Sequence, residues 1–298
     1  MNKQVRIKSL SDYINRVTAL KPHEHEDSLY HEEIVFRGLS DCTYQLVPSL
    51  GRSPSEHWIN TLTAVEGDLV SRAHQKFPNI FQNDDLPVAK LAKLQHFGIP
   101  TRMMDVTSNA LVALYFACKK ADRDGEVVAF SNYSLPAINP YANMIADTYR
   151  LLWGAYTDIG TYYYRAVKQD YSILIQRPGW ESADKKKLTS FAAKIKKPLL
   201  VESFEVSARQ KNQQGKFILF PNKIGKLGGN GPLYVYDDLV GMEKNDKTIL
   251  NRYIIPKEIK LDLQKRLSVL GISEEYLFAD NIDTVFESVK QRQLKRFQ

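Results

Sequence analysis

The chain has 298 residues, 43% of them hydrophobic and 25% charged, a balance that excludes collagen-like, low-complexity and disordered classes and is enough to bury a core. Its formal charge of +7 lies in one half: Lys and Arg number 16 against 17 Asp and Glu in residues 1–150, and 25 against 17 in residues 151–298. No apolar run approaches the roughly 20 residues that span a bilayer, and Cys42 and Cys118 have no paired spacing. A cytoplasmic protein without membrane contact, disulfide or cysteine-bound zinc is therefore expected.

In chain order, residues 7–20 read as a helix capped by Ser9 or Ser11, and 34–37 as a strand. Between them stand His23, Glu24, His25, Glu26 and His31. These have no matching distant ligand, so the stretch reads as a solvated loop and no metal is expected. Apolar spacing predicts helices over 55–77 (Trp58, Leu62, Val65, Leu69, Ala73) and 86–97 (Leu86, Leu91, Leu94, Phe97), the second stopped by Gly98 and Pro100. Thr107, Ser108 and Asn109 offer caps to an apolar helix from Ala110 to Ala121, and a strand follows over 126–131. Residues 132–200 are rich in tyrosine and end in Lys185, Lys186, Lys187, Lys194, Lys196 and Lys197. Interleaved rings and cations meet the requirement for stacking bases and neutralising phosphates; they equally suit a helical insertion with half-buried tyrosines and a solvated lysine surface. Strands are predicted at 199–204 and 216–220, with Gly228 to Gly231 as a flexible turn. Pro256 opens a helix with Ile259, Leu263, Leu267 and Leu270 inward and Gly271 at its end, and Asp280 caps a last helix into Lys290.

Three polar clusters stand out. In Phe36-Arg37-Gly38 an arginine at a strand end is placed to grip a phosphate or carboxylate in bidentate fashion, although a surface ion pair explains a single arginine as well. Residues 95–107, from Gln95 and His96 through Thr101, Arg102 and Asp105 to Thr107, read as a polar, turn-rich link between two helices. It is either a functional connector or a structural knot in which Asp105 pairs with Arg102 and Thr107 caps the next helix. The third cluster, Arg209 to Phe217, places amides and a glycine before a strand. Phosphate-loop, nucleophile-elbow and HExxH patterns are absent.

FRG at 36–38, YQLVPSLGR at 44–52, QHFGIPTRMMDVTSNALVALYFA at 95–117 and RQKNQQGKFILFP at 209–221 resemble, in order and spacing, the signature segments of the FRG-domain family. The resemblance covers about residues 30–290, with 132–200 poorly matched, and Met103-Met104, Val106 and Ala110 depart from the usual residues. It implies one FRG-type α+β domain over 1–298 with 132–200 as an insertion. A more distant similarity to ADP-ribosyltransferases implies a split, bent antiparallel sheet surrounded by helices, with that insertion helical. In those enzymes an aromatic-Arg-Gly ends the first core strand, and its arginine holds the NAD pyrophosphate.

The similarity implies NAD as substrate, held by Arg37, Gly38, His96, Thr101 and Arg102, with Asp105, Thr107, Gln213 and Gln214 as the catalytic set. QQGKFIL supplies glutamines where that family places a glutamate, so Asp105 is expected to replace the acid, with Glu202 and Glu205 behind it. The implied function is an NAD-dependent ADP-ribosyltransferase, a bacterial toxin or phage-defence effector. It would act on nucleic acid (RNA or DNA) or a nucleic-acid-associated protein, with the six lysines as nucleic-acid contacts and an antitoxin as a further partner. The alternative is a catalytically silent nucleotide- or RNA-binding module.

Overall fold

Apolar residues at every second position build the centre of the molecule. The computed structural model describes residues 3–23, 32–52, 62–81, 86–119, 122–168, 185–202, 207–227 and 231–279. Of the residues singled out above, Glu24, His25, Glu26, His31, Trp58, Glu205, Gly228 to Asn230 and the helix from Asp280 to Lys290 lie outside the described residues.

The strands are β1 (Lys3–Arg6), β2 (Glu32–Leu39), β3 (Met103–Thr107), β4 (Gly125–Leu135), β5 (Tyr156–Asp158), β6 (Leu199–Val201), β7 (Gly215–Leu219), β8 (Asn222–Lys226), β9 (Leu233–Leu239) and β10 (Ile249–Ile255). The helices are α1 (Leu10–Thr18), α2 (Leu62–Lys76), α3 (Pro87–His96), α4 (Ala110–Cys118), α5 (Pro140–Ala146), α6 (Thr148–Leu151), α7 (Ile159–Lys168), α8 (Lys185–Ile195), α9 (Ala208–Asn212), α10 (Lys260–Val269) and α11 (Glu274–Leu277).

The larger sheet runs β1-β10-β4-β2-β3-β7-β6, and β6 returns to pair with β4 at Ser134 and Leu135. The five strands β4, β2, β3, β7 and β6 thus close on themselves as a barrel. Val35, Met104, Val106, Val128, Phe130, Leu200 and Ile218 fill its interior. Alternate residues of the same strands face outward into two separate cores. Phe36, Val127 and Ala129 pack against α4 and α10 on one side. Met103, Val201, Phe217 and Leu219 pack against α3, α5, α7 and α8 on the other. Since β4 ends and β6 begins side by side, the tyrosine-rich stretch leaves the barrel and rejoins it at one place. Its β5 joins β9 and β8 in a second sheet of three strands.

A mixed fold of helices around a mostly antiparallel sheet agrees with the sequence reading, and the closure of that sheet into a barrel goes beyond it. Residues 103–107 need correction: they are a barrel strand and not a turn-rich link, because Met104 and Val106 point into the barrel while Met103 packs outside it. Leu270 is also corrected from inward to exposed; Gly271, at φ +82°, turns the chain so that Ile272 is buried in its place. Asn109 is the residue that caps α4, accepting from the amides of Leu111 and Val112. Among the described residues no helix is long and apolar enough to cross a membrane. Both cysteines are free, and burial pushes the Cys118 thiol up to about 12, which leaves it unreactive.

Two contacts hold the layers in place. Helix α4 lies directly on β2 because Gly38 has no side chain: a Cβ there would stand 2.0 Å from the carbonyl oxygen of Ala113. Arg102, fully buried just before β3, donates to both carboxylate oxygens of Glu66 on α2 and to Asn222 Oδ1 at 2.8 Å. The guanidinium thereby ties α2, β3 and β8 together.

Gly38→Ala is expected to cost about 3 kcal/mol or more, the upper end of overpacking penalties, because the obstructing atom is backbone. Glu66→Ala should cost about 3–5 kcal/mol by leaving the Arg102 charge buried and unpaired. Urea unfolding of each variant measures both losses.

Candidate functional site

The barrel has one weak seam. Strand β2 pairs with β4 over eight residues and β3 pairs with β7 over five, yet β2 and β3 meet only at Phe36 and Thr107. Past that pair the two strands part, and the Arg37 side chain fills the gap. Its Nη1 donates to the Asp105 carbonyl oxygen at 2.7 Å and lies 3.5 Å from Asp105 Oδ2. Its Nε is buried and has no hydrogen-bond partner.

Over this seam lies a cleft of about 230 Å³, lined by Arg37, Gly38, Gln95, His96, Asp105 and Gln210 among others. It sits between α3 and α4, the two helices that belong to opposite outer cores. A chain of donors fixes its carboxylate. The Met103 amide donates to Thr101 Oγ1 at 3.1 Å, the Thr101 hydroxyl donates to Gln95 Oε1, and Gln95 Nε2 donates to Asp105 Oδ1 at 2.6 Å. Since the hydroxyl proton goes to the Gln95 oxygen, the amide nitrogen must face Asp105. Asp105 thus accepts from Gln95 while keeping 60% of its side chain in solvent. Arg52 stands near enough to feel this pair: partial burial and the Arg37 charge lower its pKa, and Asp105 works the other way.

The third cluster closes the cleft from the side. The Thr107 hydroxyl donates to the Gln213 carbonyl at 2.6 Å, and Gln213 Nε2 donates to the Leu277 carbonyl at 2.9 Å. Gln214 adopts φ +46°, in the left-handed region, and its carbonyl accepts from the Ser108 amide at 3.2 Å. Thr107 and Gln213 therefore spend their polar groups on holding this turn. Lys216 follows on β7 with its ammonium 2.6 and 2.7 Å from the Glu33 oxygens and 3.0 Å from Glu202.

Of the residues singled out from sequence, Arg37, Gly38, His96, Asp105, Thr107 and Gln213 line this one cleft. Gln214 lines an adjoining hollow with Ser108 and Glu202. Thr101 and Arg102 do not reach it, both being fully buried. Arg102 pairs with Glu66, so the alternative pairing with Asp105 is corrected: Arg102 is fully buried, while Asp105 stands 60% in solvent beside Arg37. Lys185 and Lys186 stand exposed at the start of α8, and Lys194 donates to the Tyr141 hydroxyl at 3.0 Å; none of the six lysines lines the cleft. Sequence does not single out Gln95, Gln210 and Lys216 one by one, although all three fall inside the quoted segments.

No curated protein and no solved structure matches the chain. The family model of the FRG domain matches residues 32–126, a span holding β2, the parted seam, Arg37 and the relay from Thr101 through Gln95 to Asp105. That match supports the likeness to the FRG domain over residues 32–126.

Proposed function

We propose that the cleft binds NAD through its pyrophosphate and transfers ADP-ribose to an acceptor. The observation that carries this reading is Arg37 beside Asp105 in one cleft, the guanidinium with a buried and unpartnered Nε, the carboxylate more than half in solvent. A buried N–H without an acceptor costs about 1–3 kcal/mol, which an oxyanion placed against it offsets. Guanidinium nitrogens hold phosphate oxygens in pairs, and Nη1 alone is committed to Asp105.

Breaking the bond between C1′ of the ribose and the nicotinamide nitrogen leaves positive charge on the sugar, and a carboxylate stabilises that charge better than an amide does. Among the described residues, Asp105 is the only carboxylate that lines the cleft. Thr107 and Gln213 keep a supporting role, since both are occupied in the turn. The parting of β2 from β3 fits the split sheet that the resemblance to ADP-ribosyltransferases implies, and a toxin or phage-defence role rests on the resemblance to the FRG-domain family.

Arg37→Lys removes the paired grip and should weaken NAD binding by about 1–3 kcal/mol in titration calorimetry, with a melting temperature close to the parent's. Asp105→Asn should bind NAD like the parent and release nicotinamide at least about 100-fold more slowly by chromatography. Failure of the parent to bind NAD overturns the reading. NAD bound by the parent without any release of nicotinamide leaves a silent nucleotide-binding module.

A further inference from the structure

A second arginine lines the cleft. Among the described residues, the arginine and lysine cations of its lining are Arg37, Arg209 and Lys216, against the single carboxylate of Asp105. Lys216 is taken up by Glu33 and Glu202, neither of which lines the cleft. Arg209 belongs to α9, which sits on the first residue of β7: a Cβ at Gly215 would stand 3.4 Å from Gln210 Cγ. Phe36 pairs with Thr107, and Thr107 with Gly215, so Arg37 on β2 and Arg209 beside β7 enter the cleft across β3. Two strand spacings amount to roughly 10 Å. Two arginine side chains close such a gap when they meet on adjacent phosphates.

Three consecutive residues around the end of α11 hold this wall of the cleft in place. The Tyr276 carbonyl accepts from Asn212 Nδ2 at 2.8 Å, and the Leu277 carbonyl accepts from Gln213 Nε2 at 2.9 Å. The Phe278 ring carries the Arg209 guanidinium 4.7 Å from its centre. Leu277 is fully buried and anchors the three. The same ring has Lys119 Nζ 4.4 Å from its centre, and it meets Phe116, another residue of the cleft lining, edge-on with centres 6.2 Å apart. Stacking takes the flat face of a guanidinium, whereas its N–H donors lie in the plane, at the edge, where phosphate oxygens are bound in pairs. A side chain already held against a ring gives up less freedom on binding than one that moves in water.

We propose that Arg209 is the second phosphate-binding residue of the cleft and that Phe278 positions it, so that the site takes a diphosphate in preference to a monophosphate. The inference rests on the reading of the cleft as an NAD site and names the group that meets the second phosphate.

The experiment is titration calorimetry of the full chain with NAD, ADP and AMP. The parent should bind ADP at least about tenfold more tightly than AMP. Arg209→Gln should lose about 10- to 100-fold in affinity for NAD and ADP, the range of a charge-assisted hydrogen bond, and little for AMP, whose one phosphate Arg37 takes. The preference for ADP over AMP then falls to within about twofold. Phe278→Leu should reduce the same preference, and Phe278→Tyr, which keeps the ring, should restore it. A merely structural arginine would lower the melting temperature and leave the preference alone, and if Phe278→Leu does not fold, the Arg209→Gln variant decides. NAD bound by a parent that does not distinguish ADP from AMP, or a folded Arg209→Gln variant that still does, overturns the role of Arg209 and leaves the NAD reading standing. An unchanged preference in folded Phe278→Leu overturns the positioning role of the ring. A parent that binds none of the three nucleotides overturns both readings.

Discussion

The carbonyl oxygen of Ala113 comes so close to Gly38 that no side chain fits between them, and the arrangement of the cleft follows from that contact. With α4 pressed onto β2, the strand is held by its helix on one side and by β4 through eight residue pairs on its edge. It has little freedom left to follow β3, which is bound to β7 instead. The two strands part after one pair, and the residue at the parting is Arg37. Gly125 repeats the device where β4 begins, with a Cβ position 2.2 Å from the carbonyl of Ala117. Both glycines serve the same helix. The glycine beside Arg37 thus acts through packing, and it makes the gap that the arginine fills.

Polar groups buried around this seam divide into those that hold the fold and those left for a ligand. Arg102 gives its nitrogens to Glu66 and Asn222 and has nothing further to offer. Thr101 passes a hydroxyl proton to Gln95, and Gln95 passes an amide proton to Asp105. Each step leaves one direction open for the next group, so a core threonine sets the orientation of a carboxylate at the surface. Arg37 is the exception, with a buried nitrogen that the protein does not satisfy. In a structure where buried donors are nearly always paired, that lack is the strongest pointer to an anion.

Charge around the cleft is paired within the protein. Around the cleft, cations meet carboxylates: Arg37 with Asp105, Lys216 with Glu33 and Glu202. Such an arrangement suits a ligand carrying both phosphate and hydroxyl groups.

Helices α1 to α4 and α10, strands β2, β4, β6 and β7, and the polar segments at 36–38, 95–107 and 209–217 were legible in the sequence because each rests on local spacing. Residue type alone made Arg37 and Arg102 equal candidates. Tertiary structure separated them, because what an arginine can bind depends on what stands across from it. Glu66 is 36 residues from Arg102 in sequence and within hydrogen-bond distance in space. Strands β1, β3, β5, β8, β9 and β10 were not visible for the same reason: pairing with distant neighbours makes them strands. The closed barrel likewise depends on β6 meeting β4 across more than sixty residues, a contact that no local pattern encodes.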